Sequence, residues 1–116
     1  MHSIPLTPLS HDVCTAPQLH PESMQAAAEA GFKSVINNRP DFEAGPDQPT
    51  SAALEEAARE AGLHYAWLPV QSMMQTPDEI ARFAELLQTL PKPVLVFCRS
   101  GARSTRLYRA VTQLQP

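Results

Sequence analysis

Nowhere in this 116-residue chain do eighteen apolar residues run together, so no membrane-spanning helix is expected. Its opening segment, MHSIPLTPLSHDV, lacks the basic start and apolar core of a secretory signal, and the cytoplasm is the expected compartment. Cysteine is scarce. Cys14 and Cys98 cannot staple a domain of this size, and both read as reduced thiols. Aromatic residues make up only 6% of the chain, and the global charge is −3, which speaks against a nucleic-acid surface. The four histidines show no metal-ligand spacing, so neither metal nor cofactor is expected. Acidic residues are missing altogether after Glu85.

That last absence matters most. Up to Glu85 the chain holds twelve acids and four bases, a balance of −8. From Leu86 onward it holds five bases, Lys92, Arg99, Arg103, Arg106 and Arg109, and no acid. Positive charge therefore gathers at one place, as a local anion site requires. Apolar residues amount to 43%, and the length suits one domain with a real core, residues 1–116.

Hydrophobic pattern and punctuation give alternating elements. Residues 20–31 read as a helix with Pro21 at its first position and Gly31 as its stop. Residues 32–37, 63–70 and 93–98 read as strands, the last a continuous apolar run suited to burial on both faces. A first short strand is expected near 12–15. Residues 50–62 and 76–90 read as helices, the second with a Thr76/Glu79 capping box. A last helix starts near Arg103 and buries Leu107, Val111 and Leu114. The expected fold is a three-layer α/β domain. Its four-stranded, mostly parallel sheet carries helices on both faces. Loops 38–49 and 71–75 and the loop after Cys98 should meet at the C-terminal edge of that sheet, where ligand sites gather. Tyr65 and Trp67 are expected in or near the core. Met73 and Met74 either fill a gap or line an apolar mouth.

The segment VLVFCRSGARSTRLY carries the chemistry. Cys98 ends a strand and faces a helix N-terminus, whose unpaired N–H groups favour a thiolate. Arg99, Ser100, Gly101 and Ala102 can turn their N–H groups inward as an anion-binding loop, with Gly101 relieving the tight turn. Arg103 can fork onto an oxyanion and favour the thiolate, and Ser104 can cap the helix or donate to the sulfur. Cys14, with no such surroundings, reads as an apolar filler. In NNRPD, Arg39 with Asn38 beside it is the second substrate-binding candidate. The other reading of Arg39 is a loop fastener paired with Asp41 or Glu43.

The loop CRSGARS resembles the active-site loop of rhodanese-type sulfurtransferases, Cys-x4-Arg-Ser with Gly inside. In the tyrosine and dual-specificity phosphatases the loop is one residue longer, and a His rather than Phe97 precedes the Cys. The usual His-Ile-Pro-Gly-Ala stretch of rhodaneses is missing. Across about residues 8 to 113, GFKSVINNRPDFE, GLHYAWLPV and PVLVFCRSGARS are together similar to the phosphatase-like domain of the beta-lactamase-hydrolase-like proteins. The resemblance implies a dual-specificity-phosphatase-like fold and an association with sulfide- or persulfide-handling enzymes. Two arguments favour sulfur. A shorter loop makes a tighter bowl, and a persulfide sulfur is smaller than a phosphoryl group. A phosphatase also needs an acid for its leaving oxygen, and after WLPV only Gln71 and Ser72 stand in its place. Asp41 and Asp78 are the carboxylates left to fill that role. The expectation is thus a sulfurtransferase carrying sulfane sulfur as a Cys98 persulfide, with a small sulfur donor and acceptor. The alternatives are a phosphatase acting on a phosphoester through phosphocysteine and a non-catalytic anion-binding module.

Overall fold

The computed structural model describes residues 4–71 and 75–114. Ser72, Met73, Met74 and the side chain of Leu114 lie outside the described residues. In chain order the elements are β1 (Thr7–Ser10), β2 (Val13–Ala16), α1 (Ser23–Glu29), β3 (Ser34–Asn37), α2 (Ser51–Glu60), β4 (His64–Trp67), α3 (Pro77–Thr89), β5 (Val94–Phe97) and α4 (Ala102–Leu114). The sheet order is β1-β2-β5-β3-β4, with β1 antiparallel to β2 and every other pairing parallel.

The mixed α/β architecture is the expected one, with one strand more than the four expected. The additional strand, β1, reads TPLS. Its apolar residues do not alternate, and Pro8 cannot donate to a ladder, so it is tolerated only at the sheet edge, where it lies. Helix α1 begins at Ser23, two residues after the expected Pro21 start, because residues 21–22 form a turn closed by Ser23 N–H to His20 O at 2.8 Å.

Strand β5 is central and buried throughout. Alternation splits its side chains between two cores. Leu95 and Phe97, with Val35, meet Met24 and Ala27 of α1 and Leu54 and Ala58 of α2. Val94 and Val96, with Ile36, meet Phe83, Leu86 and Leu87 of α3 and Leu107 and Val111 of α4. A run apolar at every position is what a strand covered on both faces needs. Among the described residues no helix is long and apolar enough to cross a membrane.

This topology sets the site. Parallel strands β2, β5, β3 and β4 end at the same edge, so the loops after β2 and β3 flank the loop after β5. Gln18 N–H reaches Arg99 O at 3.1 Å, and Asn38 N–H reaches Phe97 O at 2.9 Å.

Candidate active site

Cys98 follows the last residue of β5 and is almost wholly buried, at 1% exposure. Three residues on, Gly101 takes φ 95°, left-handed backbone that an L side chain resists. This turn aims the Gly101 N–H at the Cys98 sulfur, 3.1 Å away. Burial alone pushes the thiol pKa up. The Ser104 N–H and hydroxyl, and the N–H groups of Gly101 and Ser100, outweigh it and hold the pKa below the ordinary thiol value. The single proton of the Ser104 hydroxyl goes to Asn38 Oδ1, 2.9 Å away, or to the Cys98 thiolate, and the Asn38 contact keeps the hydroxyl beside the sulfur. Cys14 has only burial acting on it, and its pKa is raised.

Arg103, one residue into α4, is buried. Its Nη1 donates to Val70 O at 3.0 Å and its Nη2 to Glu43 Oε1 at 3.1 Å. Its buried Nε makes no hydrogen bond within the protein. A buried guanidinium with an unspent donor is a demand for an acceptor. The sulfur is thus held by N–H groups and a hydroxyl, while Arg103 is turned toward Glu43.

Arg39 is equally buried and held on four sides. Its N–H reaches Asn37 Oδ1 (2.8 Å), its carbonyl accepts from Trp67 Nε1 (3.0 Å), its Nη1 donates to Gln18 Oε1 (2.9 Å), and its Nε donates to Glu43 Oε1 (2.8 Å). One oxygen of Glu43 therefore serves both arginines. Burial acts to raise the Glu43 pKa, but the two guanidinium bonds prevail and hold it below the usual carboxylate range.

These groups line a pocket of about 400 Å³ containing Cys98, Glu43 and four arginines, Arg39, Arg99, Arg103 and Arg106. Ser100 and Ala102 complete the loop side. Gly101 faces an adjacent hollow with Thr15 and Arg109. The other residues singled out by sequence lie elsewhere. Asn38 is fully buried behind the loop, its amide tied to Leu68 O (3.1 Å) and Ser104. Asp41 accepts from Ser51 N–H at 2.7 Å at the start of α2, and Asp78 sits in the first turn of α3. None of the three lines the pocket. Trp67, expected in or near the core, is 44% exposed and steadies the Arg39 carbonyl. Glu43 is the residue that sequence reasoning passed over. Its signal was the four-residue spacing from Arg39, read there only as a loop fastener. Among the described residues no group of three His, Cys, Asp or Glu could hold a metal ion.

Residues 6–115 match a family described as the beta-lactamase hydrolase-like protein, phosphatase-like domain. The beta-lactamase hydrolase-like protein of Xylella fastidiosa strain Temecula1 is 43% identical over 81 residues, 70% of this chain and 19% of that protein. The chain thus spans about a fifth of the length of the curated relatives it matches. A putative phosphatase structure from Neisseria meningitidis is 28% identical, with a TM-score of 0.78 over 94% of this chain and 78% of that one. Another, from Shewanella putrefaciens, shares the fold at a TM-score of 0.79 and 19% identity, covering 96% of this chain and 74% of that one.

The expectation of sulfur transfer is overturned by these matches, which point to the cysteine phosphatases. The physical grounds for it also fail. Loop length does not alone set the size of the bowl, because Arg39 and Glu43 wall it from the loop after β3. Nor does the pocket lack a carboxylate, since Glu43 stands in it.

Proposed function

This chain belongs to the phosphatase-like domain family of the beta-lactamase hydrolase-like proteins, and from that premise we propose that it is a cysteine-dependent phosphatase acting on phosphomonoesters. The observation that carries the reading is Arg103 Nε, a buried donor without a protein partner, in the same pocket as a Cys98 thiol held below its ordinary pKa.

The chemistry follows from the placement. A phosphate group enters the arginine-lined pocket and takes the Arg103 Nε and Nη2 pair as a fork. Loop N–H groups donate to the remaining oxygens, as a backbone nest does. The Cys98 thiolate attacks phosphorus, a P–S bond forms, and the P–O bond to the leaving group breaks with its electron pair on oxygen. Water then attacks the phosphocysteine, the P–S pair returns to sulfur, and inorganic phosphate leaves. Charge developing on the phosphoryl oxygens is met by donors already in position, the main source of rate in such sites. Arg39, pinned on four sides, supplies fixed positive charge with little reorganisation.

The test is hydrolysis of an aryl phosphate by the purified chain, with Cys98→Ser alongside. Turnover that disappears in the variant supports the assignment. Turnover retained by the variant, or absent from the wild type across aryl phosphates, counts against it.

A further inference from the structure

Resting on the phosphatase reading, one requirement is still without a residue: the proton that the departing oxygen takes. The loop after β4 cannot supply it, because the chain contains no Asp or Glu from His64 through Pro77. Asp41 accepts from the first turn of α2, Asp78 lies in the first turn of α3, and neither lines the pocket. Glu43 is the carboxylate that lines the pocket with Cys98. We propose that Glu43 is the general acid of phosphocysteine formation and the general base of its hydrolysis.

The resting geometry shows how an ionised carboxylate comes to hold a proton at the right moment. Glu43 Oε1 is bonded to Arg39 Nε at 2.8 Å and to Arg103 Nη2 at 3.1 Å. Arg99 and Arg106 border the same pocket. A phosphate dianion draws the Arg103 fork to itself. Glu43 then loses one cationic partner and gains a dianion as neighbour, and both changes favour the protonated carboxyl. Its side chain is 26% exposed, so solvent can deliver the first proton. As the P–S bond forms and the P–O bond breaks, the leaving oxygen takes the electron pair and the Glu43 proton. As water attacks the phosphocysteine, its proton passes to the Glu43 carboxylate and the P–S pair returns to Cys98. The carboxyl is thereby restored for the next turnover, and no other reactant is needed.

Glu43 also holds two arginines, so the test must separate donation from positioning. Glu43→Gln keeps a carbonyl oxygen for Arg39 and Arg103 but has no acidic proton. The reading is the single-turnover release of the leaving alcohol from phenyl phosphate and from dinitrophenyl phosphate, whose leaving group needs no proton. The expected result is a loss of about 10²–10³-fold with phenyl phosphate and less than about threefold with the dinitrophenyl ester. Glu43→Asp should recover part of the phenyl phosphate rate and also guards against an effect of the amide on folding. An equal loss on both esters, or no loss on phenyl phosphate, would overturn the assignment. Cys98-dependent release from the dinitrophenyl ester with such a flat pattern removes Glu43 alone and leaves the phosphatase reading standing. Absence of Cys98-dependent release by the wild type from both esters removes both.

Discussion

Three backbone N–H groups and one hydroxyl converge on the Cys98 sulfur, and they decide its reactivity. Because its pKa is lowered while that of Cys14 is raised, the thiolate of Cys98 persists to lower pH. Iodoacetamide at neutral pH should therefore alkylate Cys98 before Cys14, and peptide mapping with pH reads the order. Ser104→Ala removes one donor and should move the Cys98 profile to higher pH. Labelling of Cys14 first would contradict the sulfur's electrostatic account. Arg103→Lys keeps a charge but loses the fork, and should cost about 10²-fold or more in kcat/KM on an aryl phosphate. These residues were legible in the sequence because Cys98, Gly101, Arg103 and Ser104 lie within seven consecutive positions. Glu43 was not, because its meaning comes from Arg103, sixty residues away in the chain. Asp41 and Asp78 looked available for the opposite reason. Asp78 already read as a first-turn helix residue, but only the fold shows that the start of α2 uses Asp41 and that neither carboxylate lines the pocket.

At the scale of elements, the strand–loop–helix unit from β5 to α4 depends on a single left-handed residue. Gly101→Ala finds tolerable space, its Cβ meeting Thr15 Oγ1 at 3.5 Å, but not a tolerable φ. It should cost about 1–2 kcal/mol in denaturant unfolding and turn the N–H away from the sulfur, lowering turnover as well. Helix α3 offers the contrast. Thr76 and Glu79 close a reciprocal capping box, and neither lines the pocket. Thr76→Ala should cost about 1 kcal/mol of stability and leave kcat/KM as it was. Capping boxes, helix-ending glycines and a two-face apolar strand are local signals, and α2, α3, β5 and α4 were readable from them. Strand β1 was not, since its pairing with β2 draws on backbone hydrogen bonds rather than on any apolar pattern in TPLS.

The molecule as a whole pairs an acidic body with a basic pocket. All twelve acids precede Leu86, yet four arginines from two distant segments meet around Cys98. Such a field draws small anions and is screened by salt, so KM for a phosphomonoester should rise with ionic strength while kcat changes little. A KM insensitive to salt would remove the arginines from the account of binding. The parallel strand order explains the convergence, since it brings the loops after β2, β3 and β5 to one edge. That edge could be foreseen from the alternation of strands and helices. The choice between sulfur and phosphorus could not, because it was made on loop length and on the missing acid after WLPV, and both the walls of the pocket and its carboxylate come from the loop after β3.

A cysteine-dependent phosphatase must pass through a bond between the Cys98 sulfur and phosphorus. Rapid acid quenching of the protein during turnover of an aryl phosphate, followed by intact mass measurement and peptide mapping, looks for that bond directly. One added phosphoryl group is expected, located on Cys98 and missing from Cys98→Ser. Turnover with no phosphorylated Cys98 at any quench time, or a phosphoryl group on another residue, would contradict it.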